Sequence, residues 1–498
     1  MLSMFASVDQ QEEPSFWNSL EKPSNPTKSS VHIKGTLIEL TSTEKLKERF
    51  FCLSQFSLLR SKNESSPFKK SSSLKWKIIE PFVEEGNSEQ KYGFRISQGD
   101  ICRHFYTKSS EELDQWLIHL SKIGIMTDIK NDYTFKKVLG TGSFAHVYLA
   151  VDVENSQEYA IKSIQKALIQ SKSNFMALVN EIDILRNLNH PAITKLHKVY
   201  ESPHHIHLVL DYAPGGDLLH RILNKGPFSE EKAAKLIKNI LKVLEYLDSK
   251  NIAHRDIKLE NILMMSDDND NKIKITDFGL ASLTNIELTQ NCGSPGYVAP
   301  EILKKKPYGS KVDVFSVGVV LYIILSGRAP FAGKNPRETL IKNRDCTILF
   351  YDEYWKNISR QAINAVLYLT RSQPKIRPTA KEALEHEWFL KHCEDVKISL
   401  RKTSSAANIF NAASASPKPT QVVLQEMSRQ RRSSCLANGG RGESQVDFTT
   451  RRMSCFLNNT KGDNPTEFST RNIPAHNHIY IKNAVEIPTD EKKDTKKI

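Results

Sequence analysis

His254-Arg255-Asp256-Ile257-Lys258-Leu259-Glu260-Asn261, with Asp277-Phe278-Gly279 a short interval later, is the stretch on which the fold of this chain turns. It sets two aspartates and an asparagine where a phosphoryl-transfer site requires them. Such transfer passes through a loose transition state, so a protein contributes positioning and charge neutralisation by magnesium and basic groups. Asp256 is placed to orient or accept a hydroxyl proton. Asn261 lets the same loop present a metal ligand beside the base, and Asp277 brings the second carboxylate; these two are the candidate magnesium ligands. Lys258 can meet the moving phosphate.

Upstream, Leu139-Gly140-Thr141-Gly142-Ser143-Phe144-Ala145-His146-Val147 joins two strand-like runs, with Ala145 where a third glycine would complete the pattern. Tyr159-Ala160-Ile161-Lys162 follows, then a helical stretch from Phe175 to Leu188 that carries Glu181 and stops at His190-Pro191. In this order the landmarks resemble those of eukaryotic protein kinases. The resemblance implies a bilobal α+β fold with ATP and Mg2+ as cofactors. It makes the glycine loop a cover for the phosphates, Lys162 the grip on the α- and β-phosphates, and Glu181 the partner of Lys162. By the same likeness Leu139, Val147, Ala160 and Leu263 sandwich the adenine, Leu210 is the gatekeeper, Asp211 and Ala213 form the hinge, and Asp217 meets the ribose.

Lys258 and Gly293-Ser294-Pro295-Gly296-Tyr297 before Ala299-Pro300-Glu301 resemble the serine/threonine class, with Ser294 in the substrate-binding loop. Asp217 and Glu260 match acidic positions that, in basophilic kinases, face an arginine three residues before the phosphoacceptor; carboxylates and guanidinium make charge-assisted, often bidentate contacts. Protein substrates of the Arg-x-x-Ser/Thr type are therefore expected. Val319–Phe331 is most similar to the calcium/calmodulin-dependent kinase group. That apolar run is nearer a dozen residues than the ~20 that cross a bilayer, and Asp313, Ser316 and Gly318 interrupt it, so it reads as an interior helix. Asp313 is expected to brace the catalytic loop, and Arg377 to pair with Glu301.

Arg255 usually marks a kinase that orders its activation segment around a phosphothreonine. Two residues before Cys292, where that threonine commonly sits, this chain has Gln290. Either the adjacent Thr289 serves, or Gln290 hydrogen-bonds in its place. Asp267-Asp268-Asn269-Asp270-Asn271 lacks the glycine and glutamate of a calcium loop and reads as the turn of a hairpin.

Residues 31–126 offer six or seven short strands and one helix, Ser110–Ile123. Gly35-x-Leu37, Leu46–Leu53 and Trp116 resemble a pleckstrin-homology domain, which implies a small β-barrel capped by its C-terminal helix. Lys45, Lys47 and Arg49 are the lipid candidates, set for a phosphoinositide membrane surface. Glu39 stands where strong binders place a lysine, and an acidic side chain there is expected to repel phosphates. Localisation of the enzyme on membrane or protein, or autoinhibition, are the roles this domain offers.

The plan is then a disordered segment over 1–30, this domain over 31–126, a kinase domain over 133–390 and a disordered basic tail over 391–498. With 498 residues and 39% hydrophobic content the chain can bury two cores. Residues 1–20 carry Asp9, Glu12 and Glu13 and no apolar segment, and seven cysteines lack paired spacing, so a reducing, cytoplasmic setting with recruitment to the membrane surface is expected. About half of the net charge of +13 comes from the tail, in short basic clusters without interleaved aromatics, which argues against nucleic acid as a partner. Ser434 and Ser454 follow Arg431 and Arg451 by three residues, the substrate pattern itself, and are regulatory candidates for autophosphorylation. A calmodulin contact after His392 is a further candidate partner. The rival class is a pseudokinase scaffold, or a phosphoinositide-binding adaptor without transfer activity; intact Lys162, Glu181, Asp256, Asn261 and Asp277 argue against it.

Overall fold

Apolar and β-branched residues alternating with polar ones produce a run of strands through the first part of the chain. The structure is a computed structural model that describes residues 17, 31–41, 43–85, 90–142, 145–169, 171–393 and 478–480. It divides into two units, Met1–Lys172 with Lys195–Tyr212, and Ser173–Thr194 with Ala213–Ile498.

In the first unit, β1 (Val31–Leu40), β2 (Leu46–Ser54), β3 (Ser57–Ser61) and β4 (Lys70–Ser73) form an antiparallel meander. β5 (Ile78–Glu85), β6 (Gln90–Gln98) and β7 (Ile101–Tyr106) form a second, joined to the first where Ile38 and Glu39 of β1 face Tyr106 and Phe105 of β7. Helix α1 (Ser110–Leu120) starts at Ser109, whose side chain accepts from the Glu112 N–H, and it turns Leu113, Trp116 and Leu120 into the core. The polar strand β4 escaped the sequence reading because Lys70-Ser-Ser-Ser73 carries no apolar alternation.

The two-residue strand β8 (Ile125–Met126) runs parallel to β5, at Ile78/Ile125 and Ile79/Met126. After the one-turn helix α2 (Ile129–Asp132) come β9 (Tyr133–Thr141), β10 (Ala145–Asp152), β11 (Glu158–Gln165), β12 (Leu196–Glu201) and β13 (His205–Asp211). Met126 also pairs in parallel with Tyr200 of β12, so one sheet runs β4-β3-β2-β1-β7-β6-β5-β8-β12-β13-β11-β10-β9. The core follows the sheet: Leu37, Phe51, Phe105 and Trp116 share one buried cluster with Met126, Ile129, Tyr133, Tyr200 and Val209. Asp132 accepts from Lys198 Nζ at 3.0 Å and from the Tyr200 hydroxyl. The segment between the two expected domains is thus a shared structural element rather than a spacer.

In the second unit, α3 (Lys172–Asn187) precedes α4 (Leu218–Lys225), capped by Asp217, and α5 (Glu230–Ser249), capped by Ser229. β14 (Ile252–Ala253) pairs with β17 (Ser282–Leu283), and β15 (Ile262–Met264) with β16 (Ile273–Ile275). Arg221 holds the turn of that hairpin through Asp270, at 2.9 and 3.0 Å, so this acidic loop is an anchored turn. Pro300 opens the short α6 (Pro300–Leu303), and α7 (Lys311–Ser326) is buried at every residue from Val312 onward. A Cβ on Gly318 would come within 2.6 Å of Thr370 Cγ2, so glycine lets α7 approach its neighbour closely. Among the described residues, no helix is long and apolar enough to cross a membrane.

Trp17, the one described residue before Val31, is fully buried with its ring stacked on Trp76 at 5.1 Å. Among the described residues the last helix is Glu387–Cys393, and His478–Tyr480 pairs as a strand with Leu349–Tyr351.

Candidate active site

The catalytic loop hangs between β14 and β15, and its entry is fixed from α7. Asp313 accepts the backbone N–H groups of His254 and Arg255, each at 2.7 Å. Burial pushes its carboxyl up, and those backbone donors together with the charge of Arg255 oppose the shift. The His254 ring accepts from the Asp256 N–H at Nδ1 and reaches the Thr276 carbonyl through Nε2, which fixes its tautomer. Its face meets Phe278 at 4.7 Å, both residues fully buried, so loop and Asp277-Phe278-Gly279 turn are packed into one piece.

Around Asp256 the polar groups close on one another. Asn261 Nδ2 donates to the Asp256 carbonyl at 2.8 Å and to its Oδ2 at 2.9 Å. Lys258 Nζ lies 2.9 Å from Asp256 Oδ2 and donates to Ser294 Oγ at 3.0 Å, while that hydroxyl donates to Asp256 Oδ1 at 2.7 Å. Burial would push the Lys258 ammonium pKa down, but the charges of Asp256, Glu260 and Asp277 outweigh it and hold the pKa above the ordinary lysine value. The four side chains therefore make an acidic base, a fixed cation and a hydroxyl clasp within one buried cluster. Asp277 sits in the left-handed region at φ 62° and ψ 73°.

Other site residues fall into two groups by unit. Leu139, Gly140 and Thr141 end β9 while Ala145, His146 and Val147 begin β10; Gly142 closes the turn by donating its N–H to the Ala145 carbonyl at 2.7 Å. Ser143 and Phe144 lie outside the described residues. Lys162 on β11 stands between Val147 on β10 and Leu208 on β13, and Ala160 between Leu149 and Leu210. The Asp211 carboxylate accepts from the Lys195 N–H and reaches His197 Nε2 at 2.7 Å. All of these belong to the first unit. Glu181, 2% exposed on α3, belongs to the second with Ala213, Asp217, Glu260, Leu263 and the catalytic loop. Asp217 caps α4 through the His220 N–H at 2.7 Å and forms a bridge with Leu263. Asn180 donates to the Ala281 carbonyl at 2.7 Å and so ties α3 to the residues after Asp277.

Glu301 and Arg377 form a buried, two-pronged pair at 2.6 and 2.9 Å, and Arg377 also donates to the carbonyls of Arg371 and Lys311. Arg255 turns its side chain to Leu280, Gln290 and Tyr308. Thr289 is exposed. Ser434 and Ser454 lie outside the described residues, as does the stretch 394–477, which makes up most of the segment after His392 expected to offer a calmodulin contact.

The model of the protein kinase domain matches residues 133–389, more than half of the chain. The chain belongs to the protein kinase family. A PH domain model matches residues 31–124. A probable serine/threonine-protein kinase 2 of Plasmodium falciparum (isolate K1 / Thailand) is 38% identical over 297 residues, 59% of this chain and 58% of that protein, so the match spans little more than half of that relative's length. A calcium/calmodulin-dependent protein kinase type 1 of Macrobrachium nipponense is 40% identical over 268 residues, 53% of this chain and 77% of that one. Myosin light chain kinase A of Dictyostelium discoideum is 38% identical over 266 residues, covering 53% and 90%. With these relatives the chain is a serine/threonine protein kinase, and a kinase domain uses ATP.

Sequence reasoning missed Tyr308, which no motif connects to Arg255, and missed Arg60 and Arg103 of the N-terminal domain. These two guanidinium groups pair with Glu39, at 2.6 and 2.8 Å. Glu39 is 6% exposed and spends its charge on these two guanidinium groups. Strand pairing across β1, β3 and β7 creates this triad, and no local spacing announces it.

Proposed function

We propose that this kinase is magnesium-dependent and basophilic, transferring the γ-phosphate of ATP to Ser or Thr with arginine three residues upstream. The observation that carries the transfer chemistry is the Asp256–Lys258–Ser294 clasp. It already holds one hydroxyl between a carboxylate and an ammonium, the environment that an acceptor alcohol needs. Asn261 commits its amide nitrogen to Asp256, which assigns its oxygen to the cation together with the Asp277 carboxylate. Two oxygen donors completed by nucleotide phosphates suit Mg2+. Once bound, the cation neutralises charge on the β- and γ-oxygens. Asp217 and Glu260 supply negative charge for the substrate arginine, and Glu260 adjoins Asn261 in the chain. The test is labelled transfer to an Arg-x-x-Ser peptide, with Asp256→Asn as control. Loss of transfer in that variant, and a KM about tenfold higher for Glu260→Ala with the arginine peptide only, are expected. Equal use of a peptide with alanine for arginine would refute the specificity.

The N-terminal domain has its own candidate surface, for which we propose a phosphoinositide headgroup. Facing residues in an antiparallel pair share a side of the sheet, as do alternate residues in a strand. By the pairs Glu39/Lys47, Leu37/Arg49, Phe51/Arg60, Arg60/Lys70 and Glu39/Phe105, the side that buries Leu37, Phe51 and Phe105 also carries Lys47, Arg49, Arg60, Lys70 and Arg103 around Glu39. Five cations against one neutralised carboxylate leave this mouth attractive to phosphates, with Lys45 exposed beside it. Sedimentation with phosphatidylcholine vesicles, with and without a phosphoinositide, tests it. Equal binding to both would favour a protein partner instead.

A further inference from the structure

Arg255 enters the catalytic loop at φ 65°, a left-handed conformation that a long side chain adopts only when its surroundings hold it there. The residue is 9% exposed, and the three hydrogen-bond partners of its guanidinium are neutral. Its Nε donates to the Leu280 carbonyl at 2.6 Å, and one terminal nitrogen donates to Gln290 Oε1 at 3.3 Å and to the Tyr308 hydroxyl at 3.0 Å. That hydroxyl donates in turn to the Gln290 carbonyl at 2.7 Å, and the Cys292 sulfur lies 3.6 Å from it. A phenol has one proton and two lone pairs, so giving to Gln290 while receiving from Arg255 and the thiol satisfies it completely. The backbone repeats the link, since the Tyr308 N–H donates to the Leu288 carbonyl at 3.0 Å. Leu288, Gln290 and Cys292 are therefore stitched to Tyr308 and, through it, to the residue preceding the catalytic aspartate.

Where a phosphate orders an activation segment, its charge collects arginine donors. Here the same donors end on an amide oxygen, a phenol and a carbonyl, and the neighbouring hydroxyl that could carry a phosphate, Thr289, is exposed to solvent. We propose that Gln290 and Tyr308 are positioning residues which hold Arg255 and the activation segment in the transfer-ready arrangement with no phosphate on the segment. This rests on the kinase function above and assigns its mode of regulation: activity that needs no upstream kinase. Burial raises the Tyr308 hydroxyl pKa well above the usual phenol range, so the phenol keeps the proton that its bond to Gln290 requires.

The full chain, treated with a serine/threonine phosphatase and shown by intact mass to carry no phosphate, is assayed for peptide phosphorylation under initial-rate conditions. Transfer without a lag, within about twofold of the untreated chain and of Thr289→Ala, is expected. Tyr308→Phe and Gln290→Leu should each lower kcat/KM for peptide about ten- to a hundredfold, the loss of a hydrogen bond to a charged group, and Gln290→Glu should restore it. Hydrogen exchange over residues 281–292 of the phosphate-free chain is measured in parallel, with thermal melting to confirm that each variant is folded. Protection in the parent chain that is lost in folded Tyr308→Phe supports the clasp. A tenfold or larger loss of activity on dephosphorylation, a dead Thr289→Ala, or unprotected amides in the phosphate-free parent would overturn it. If no form transfers phosphate while the exchange protection stands, the kinase function fails and the clasp does not.

Discussion

Replacing Glu39 by Gln removes a buried charge while keeping its shape, and the structure sets the size of the effect. The carboxylate accepts from Arg60 and Arg103 at 2.6 and 2.8 Å, and Arg103 also lies 4.9 Å over the Phe105 ring. Removing one partner of a fully buried pair costs about 3–5 kcal/mol. Here the two guanidinium side chains retain 26% and 28% exposure and can rehydrate, and glutamine keeps one acceptor oxygen, which brings the estimate to about 2 kcal/mol. At about 4 °C per kcal/mol for a body of this size, the first unit should melt roughly 8 °C lower. The pH dependence has a definite sign. Burial pushes the Glu39 carboxyl up, but the hydrogen bonds and charges of Arg103 and Arg60 outweigh it, so the folded pKa lies below the ordinary glutamate value. Protons then bind the unfolded chain preferentially; the stabilisation is complete above the unfolded pKa of about 4.3 and is lost as pH falls through the folded one. Calorimetry of parent and Glu39→Gln should show a constant gap between pH 6 and 8 that closes below about pH 4. An unchanged melting temperature, or a gap that persists in acid, would refute the triad. The same variant releases two guanidinium groups in the cationic mouth, so its affinity for phosphoinositide vesicles should rise while salt weakens it.

Other outcomes follow from packing. Starting the chain at Thr127 removes β8 together with every strand before it, uncovering Tyr200, and should lower the melting temperature of the remaining kinase relative to the full chain by an amount matching about 2–5 kcal/mol; equal melting would show that the pairing of β8 with β12 does not stabilise the kinase part of the sheet. Arg377→Met strands Glu301, 3% exposed, and should cost about 3–5 kcal/mol in denaturant titration, most of it recovered in the double variant with Glu301→Leu. Asp313→Ala leaves two backbone N–H groups of the catalytic loop without their acceptor and should lower kcat with little change in the KM for ATP; the opposite split would place its role in nucleotide binding.

What the amino-acid order discloses is governed by how far apart the cooperating groups lie. Asp256, Lys258 and Asn261 occupy one loop, so the spacing that makes them a motif is also the spacing that lets Asn261 donate to Asp256. Helix α7 was legible because burial on all sides leaves an unbroken apolar run, with Asp313 conspicuous within it. β8 could not be read, since two residues carry no periodicity and acquire a strand only from β5 and β12, more than forty residues away on either side.

Glu39 and Gln290 show why the remainder resisted. Each is a single substitution against an expected pattern, and alone each looks like a defect: a carboxylate in a phosphate cradle, an amide where a phosphate belongs. The sign of its effect depends on what lies opposite, and that is set by strand register and by the path of the segment. Arg60 and Arg103 reach Glu39 because β3 and β7 flank the β1–β2 pair, and Tyr308 reaches Gln290 because the Leu288/Tyr308 bridge draws the two chains together. In both places an internal group satisfies cations that would otherwise await an external anion. Glu39 thereby lowers the charge of the cationic mouth, and Gln290 removes a requirement for phosphate. Exchanging them should act oppositely: Glu39→Gln increases anion binding, whereas Gln290→Leu leaves Arg255 short of an acceptor and makes the activation segment depend on one.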